Sequence, residues 1–229
     1  MTIAREQVGA EGRLDTPDLT PQNWDLLVVG GGTAGIVGAK TAASFGARVL
    51  LVERDRTGGD CLWTGCVPSK SLLAAAAAAA DARTAARFGV HTGDVRVDFT
   101  QVMAHVRSAI AAIAPTDSVE ALEAAGVHIL TGNLTFTGAH SADIANAGNR
   151  SVTFSQALVA TGAAPTIPPI DGLASAGALT SDTIWDLTSL PERLLVLGGG
   201  SIWLRAGPGV RPARLAGHHR RRHRPGAAL

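Results

Sequence analysis

Tyrosine is missing from this 229-residue chain, and aromatic residues make up only 4% of it. Alanine and glycine are abundant, a bias that reads as base composition in the gene and not as a functional signal. Cysteine is almost missing too, with Cys61 and Cys66 the only two. A single pair excludes a disulfide-dense secreted scaffold. No run is long and apolar enough to span a membrane, so no membrane partner is expected. The first 23 residues are polar, carry Pro17 and Pro21, and hold no apolar stretch of the kind a signal peptide needs. The expected location is the cytoplasm. In that reducing compartment a close cysteine pair points to catalysis or metal binding rather than to a structural bridge.

What is present is enough for a buried core: 46% of residues are apolar, and the length suits one large domain or two small ones. The formal net charge of +1 hides a division. Residues 203–229 carry seven Arg and no acid, leaving 13 basic against 19 acidic residues in 1–202. The body is acidic and the tail basic.

Hydrophobic periodicity places the elements. Asp25 to Val29 reads as a buried strand, followed by a glycine turn and a helix over Ala34 to Phe45. Arg48 to Glu53 is the next strand. This is a βαβ beginning of a parallel, doubly wound α/β fold. Val67 to Arg87 is helical in composition, and its alanine run, Ala74 to Ala80, suggests close packing on a sheet. Phe99 to Ala125 is a second helical region, interrupted at Pro115. Val127 to Gly132, Ser151 to Phe154 and Ala157 to Gly162 read as strands, and Pro165, Pro168 and Pro169 as a connection. Leu194 to Leu197 reads as a strand leading into a second glycine turn, Gly198-Gly199-Gly200.

Two motifs carry chemistry. Gly30-x-Gly32-x-x-Gly35 stands between strand and helix, where the glycines allow a tight turn, approach of the backbone to a diphosphate and close helix packing. Unpaired N–H groups at the helix N-terminus favour an anion. Glu53, 23 positions after Gly30, stands where an acid accepts from ribose hydroxyls. The alternative is a glycine turn with no ligand. The second motif is the cysteine pair, five positions apart. A disulfide needs Cα atoms within about 7 Å, and five steps of regular helix rise about 7.5 Å before any sideways offset. Both cysteines therefore cannot lie in one regular helix and bridge. Gly58, Gly59 and Gly65 permit an irregular approach. Pro68 suits the first turn of a following helix, which places Cys66 near a helix N-terminus, a position that favours thiolate. Metal is a rival, but four ligands are usual and the neighbouring His and Cys do not supply them; no metal site is assigned. A pair of inert buried thiols also stays open.

The segment Gly59-Asp60-Cys61-Leu62-Trp63-Thr64-Gly65-Cys66-Val67-Pro68-Ser69-Lys70 resembles the active-site stretch of the flavin-dependent pyridine nucleotide–disulfide oxidoreductases. The resemblance runs from about residue 24 to 202 and includes Ala160-Thr161-Gly162 and Ser181-Asp182 through Pro191. It implies a Rossmann-like FAD-binding domain over 24–190, incomplete, and the start of an NAD(P)-binding unit over 191–202. It also implies that NAD(P)H reduces FAD, FAD reduces a Cys61–Cys66 disulfide, and the dithiol reduces a small-molecule or disulfide substrate. By the same resemblance Gly30, Gly32, Gly35, Glu53, Gly59, Thr161 and Gly162 bind FAD, and Gly198 and Gly200 begin the NAD(P)H site. Cys66 faces the flavin and Cys61 is the interchange thiol. Lys70 lies near the flavin ring; without the motif it is equally a solvated helix lysine. Asp60 and Trp63-Thr64 depart from the commonest family spelling and resemble the mercuric-reductase-like branch, which leaves the substrate open. The intact family is a homodimer whose interface domain supplies a His–Glu pair. His91, His105, His128 and His140 are not in that motif context.

After Ile202 the resemblance stops. Trp203 stands where the second fingerprint wants glycine, and Pro208 and Pro212 oppose the expected helix. The expected cause is a frameshift at the Trp203 codon. Dropping one base, with suitable wobble bases, restores glycine at 203 and an acid at 221. Residues 1–23 are expected as a disordered extension and 203–229 as a disordered basic tail outside the family. Nucleic-acid binding by that tail is the alternative, without aromatic interleaving or motif to support it. Two functions follow: a flavin-dependent dithiol oxidoreductase, or a catalytically inactive flavoprotein fragment.

Overall fold

A computed structural model of the chain describes residues 23–198. Its centre is a parallel sheet built from the βαβ beginning: β1 (Asn23–Val29), α1 (Thr33–Ser44) and β2 (Val49–Glu53). Three further helices follow: α2 (Gly59–Trp63), α3 (Cys66–Thr84) and α4 (Phe99–Ile113). A 3-10 turn at Ala114–Asp117 leads to α5 (Val119–Glu123), then β3 (Val127–Thr131). The chain finishes its sheet with β4 (Asn133–Gly138), β5 (Ser141–Ala145) and β6 (Arg150–Val159). The strand order is β3-β2-β1-β6-β5-β4, with β3, β2, β1 and β6 parallel and β4 and β5 antiparallel.

The central strands are continuous apolar runs because both their faces are covered. Leu27, Leu50 and Val52 point to one side, where they meet Ala142, Ile144, Val152 and Phe154 of the antiparallel strands. Val28, Val49 and Leu51 point to the other, against Ile36 and Ala39 of α1 and Leu122 of α5. Leu27, Val28, Leu50 and Leu51 are fully buried, and each such side chain contributes about 1.5–3 kcal/mol of burial. A third cluster joins Leu72 of α3, Val106 of α4 and Ile184, a residue of the long connection after β6.

The βαβ unit, the start of α3 just before Pro68 and the interruption at Pro115 agree with the sequence reading. Four points differ. The two strands expected over 151–154 and 157–162 are one strand, because polar Ser155 and Gln156 break the apolar pattern without breaking the pairing of Leu26 with Gln156. Residues 160–162 lie beyond its end. Strands β4 and β5 were not expected at all. The alanine run of α3 packs on α4 and not on the sheet. Leu194–Leu197 is irregular and forms no strand; a strand needs a neighbour, and none among the described residues is offered. Residues 1–22 and 199–229, with the expected extension, Gly200 and the basic tail, lie outside the described residues.

Besides the outer edges of β3 and β4, part of an inner strand is open among the described residues. β6 pairs with β1 through Val159, but with β5 only as far as Thr153. From Ser155 to Val159 its second edge has no strand neighbour among the described residues.

Candidate active site

The glycine turn sits at the C-terminal ends of the parallel strands, where such sheets bind ligands. Gly30 donates its N–H to Val52 O at 2.8 Å and has φ +106°; a Cβ there would strike the Ala160 carbonyl. Gly35 packs against the Gly30 carbonyl in the same way, so the helix can begin directly above the strand end. α1 starts at an N-cap, Gly32, whose hydrogen caps nothing, and no acid stands in its first turn. Its leading N–H groups have no intrahelical partners. A side-chain-free turn under an uncapped helix start fits the diphosphate of a dinucleotide.

Glu53, at the end of β2, is tied into this turn. One carboxylate oxygen accepts the Gly31 N–H at 2.6 Å and the other the Asp55 N–H at 2.9 Å. Each oxygen retains a lone pair for a further donor such as a ribose hydroxyl. Thr161 also comes to the turn: its Cα lies 3.2 Å from where a Gly30 Cβ would stand. Gly162 follows with φ +68° and is exposed.

The two-cysteine segment begins against the same turn. Gly58 N–H donates to Gly31 O at 2.8 Å, and a Cβ on Gly59 would stand 2.6 Å from Gly32 Cα. Cys61 lies in α2 and Cys66 is the first residue of α3, with Thr64 and Gly65 between. The pair thus spans a helix break, which the rise argument requires of any pair that bridges. Both cysteines are half-buried. The chain doubles back at Gly65, where a Cβ would lie 2.7 Å from Asp60 O and 3.4 Å from Cys61 Cα. Ser69, buried, donates its hydroxyl to Cys66 O at 3.2 Å and its N–H to Gly65 O at 3.1 Å. Lys70 is exposed, one turn beyond Cys66 and on the same side of α3.

The structure therefore brings together Gly30, Gly32, Gly35, Glu53, Gly59, Thr161, Cys61 and Cys66, with Lys70 and Gly162 at the margin. Gly198 is apart from them, exposed with φ +99° at the end of the described residues. Sequence reasoning named Trp63 only as a departure in spelling and did not single out Trp185. Trp63 donates its indole N–H to Thr57 O at 2.8 Å under the Arg56 guanidinium, 4.0 Å from the ring centroid. Trp185 donates to Thr64 O at 2.9 Å from 121 positions away. No local pattern announces the second contact. Among the described residues no cluster of His, Cys, Asp or Glu is arranged to hold a metal ion.

The sequence and the fold both match those of known proteins. The pyridine nucleotide-disulphide oxidoreductase family model matches residues 24–205. A mercuric reductase of Streptomyces lividans is 38% identical over 184 residues, covering 79% of this chain and 39% of that protein. Dihydrolipoyl dehydrogenase 2 of Haloarcula marismortui is 38% identical over 183 residues, covering 78% and 38%. A glutathione reductase of Burkholderia cepacia is 34% identical over 180 residues, covering 79% and 39%. Among solved structures, the HOCl-induced flavoprotein disulfide reductase RclA of Escherichia coli aligns with TM-score 0.66 and 25% identity, over 82% of this chain and 39% of that one. The chain thus spans about two-fifths of the length of these relatives. By motif, fold and the extent of the match, it belongs to the pyridine nucleotide-disulphide oxidoreductase family.

Proposed function

We propose that this chain forms the FAD and dithiol portion of an oxidoreductase that uses NAD(P)H to reduce a disulfide or a related acceptor. Members of the family bind FAD and take electrons from NAD(P)H. The observation that carries the proposal is the direct joining of the two motifs: the Gly58–Gly31 hydrogen bond and the Gly59–Gly32 contact hold the cysteine segment on the turn that fits a dinucleotide. When bound, FAD supplies a two-electron store that a nicotinamide fills and a disulfide drains.

The residues divide the remaining work. Gly30, Gly32 and Gly35 present backbone to the diphosphate, and Glu53 accepts from the ribose while holding the turn closed. Gly59 and Thr161, which touch the glycine turn, and Gly162 complete the FAD site, and Lys70 stands one helical turn past Cys66. Cys61, as thiolate, attacks one sulfur of the substrate disulfide and expels the other as a thiolate, which takes a proton from solvent. The Cys66 thiolate, stabilised by the N–H groups leading α3, then attacks Cys61 in the mixed disulfide. The second substrate sulfur leaves as a thiolate, is protonated from solvent in turn, and the Cys61–Cys66 disulfide is formed. Gly198 and Gly200 would open the NAD(P)H site, a homodimer would complete the enzyme, and the cytoplasm would be its location. Among the described residues no helix is long and apolar enough to cross a membrane.

A second reading has a specific basis. The family match ends at residue 205, and Trp203 replaces the third glycine of the second fingerprint. On that reading the chain keeps the FAD and dithiol fold without nicotinamide-driven turnover, and DNA sequence around codon 203 shows whether removing one base restores the family pattern. The main proposal is tested by adding FAD to the purified chain and counting thiols before and after mild oxidation. Saturable FAD binding with loss of two thiols supports it; no FAD binding, or two thiols that stay reduced, overturns it.

A further inference from the structure

We propose that Trp185 is a positioning residue for the dithiol, acting through the Thr64 carbonyl on the turn that separates Cys61 from Cys66. The inference rests on the reading that this pair cycles between dithiol and disulfide. Thr64 closes α2, with its N–H on Asp60 O at 3.0 Å. The last carbonyls of a helix have no intrahelical donors. The Trp185 indole N–H supplies one to Thr64 at 2.9 Å and shares itself with Ser181 O at 2.8 Å. The indole cannot follow the turn if the turn moves, because its own segment is fixed. Ile184, beside it, is buried against Leu72 of α3 and Val106 of α4, and Trp185, Leu187, Leu190 and Leu194 pack around them. α3 is the helix that begins with Cys66. The carbonyl between the cysteines is thus tied to the helix that carries one of them, through a connection 121 residues away.

That tie bears on the chemistry because a disulfide tolerates only a narrow range of Cα separation and dihedral angle. Gly65 follows Thr64 directly, and its backbone makes the close approach to Asp60 and Cys61. Holding the Thr64 carbonyl limits the rotations by which residues 64–65 could swing the two thiols apart.

The test is the exchange in which the protein dithiol and oxidised dithiothreitol give the protein disulfide and reduced dithiothreitol, two electrons and two protons passing between them. Trp185→Phe keeps an aromatic ring and removes the donor. The account predicts that the equilibrium constant for disulfide formation falls about three- to tenfold, the scale of one hydrogen bond, with the urea midpoint of the reduced protein lowered only by the loss of the indole donor. An equilibrium constant within twofold of wild type overturns the inference and leaves the proposed function standing. A constant that falls only together with a collapsed urea midpoint also overturns it, by assigning Trp185 to general packing. A wild-type chain that forms no Cys61–Cys66 disulfide defeats the proposed function itself. Should the variant fail to fold, ¹⁵N spectra of the wild type decide: the Trp185 indole resonance shifts between dithiol and disulfide states on this account, and an unchanged resonance contradicts it.

Discussion

At Glu53 one carboxylate holds two backbone N–H groups from different loops, Gly31 of the glycine turn and Asp55 of the chain leading to the cysteines. Both bonds need an acceptor, so Glu53→Gln presents an amide N–H₂ to one of them. The expected loss is about 1–3 kcal/mol of stability and about a tenfold weaker hold on FAD, read by urea unfolding and by quenching of flavin fluorescence. Gly65 makes the complementary point. Its backbone approaches Asp60 O so closely that Gly65→Ala must displace main chain, not a side-chain tip. We expect that substitution to cost about 1–3 kcal/mol and to suppress disulfide formation, measured by thiol counting after oxidation. Glu53 was legible in the sequence, since spacing from the fingerprint finds it. Trp185 was not, because its partner lies 121 positions away and its neighbours are unremarkable in pattern.

Among the elements, those with strong periodicity or punctuation were legible. β1, α1 and β2 announce themselves by an apolar run, a glycine turn and a second apolar run. α4 has an N-terminal signal as well: Asp98 accepts from the Gln101 N–H at 3.1 Å while the Gln101 amide reaches back to it at 3.0 Å. Asp98→Ala should lower stability by about 1 kcal/mol in thermal unfolding followed by circular dichroism. β4 and β5 escaped notice for a physical reason. Each is short, and β5 buries only Ala142 and Ile144, too few apolar residues to establish a period of two. Their identity comes from covering the second face of the parallel sheet, which the local sequence does not encode. Leu194–Leu197 errs the other way: the apolar run is strand-like, yet no described strand stands beside it to supply hydrogen bonds.

Among the described residues an inner strand of the sheet carries an exposed edge. Along Ser155 to Val159 the open side of β6 offers a row of backbone groups, and Val159 is 62% exposed. An unprotected edge of this kind invites pairing between copies. Val159→Lys should raise by roughly severalfold the concentration at which light scattering first reports association; an unchanged threshold would place the association elsewhere. Two-fifths of the length of the relatives is matched, and within that span the glycine turn and the two-cysteine segment are joined, as the proposed function needs. The most direct measurement of that joining is an anaerobic reductive titration of the FAD-loaded chain followed by its visible absorbance. The account predicts uptake of about four electrons per flavin, two by FAD and two by the Cys61–Cys66 disulfide, falling to about two in Cys61→Ser. Uptake of only two electrons by the wild type, with both thiols already reduced throughout, would contradict it.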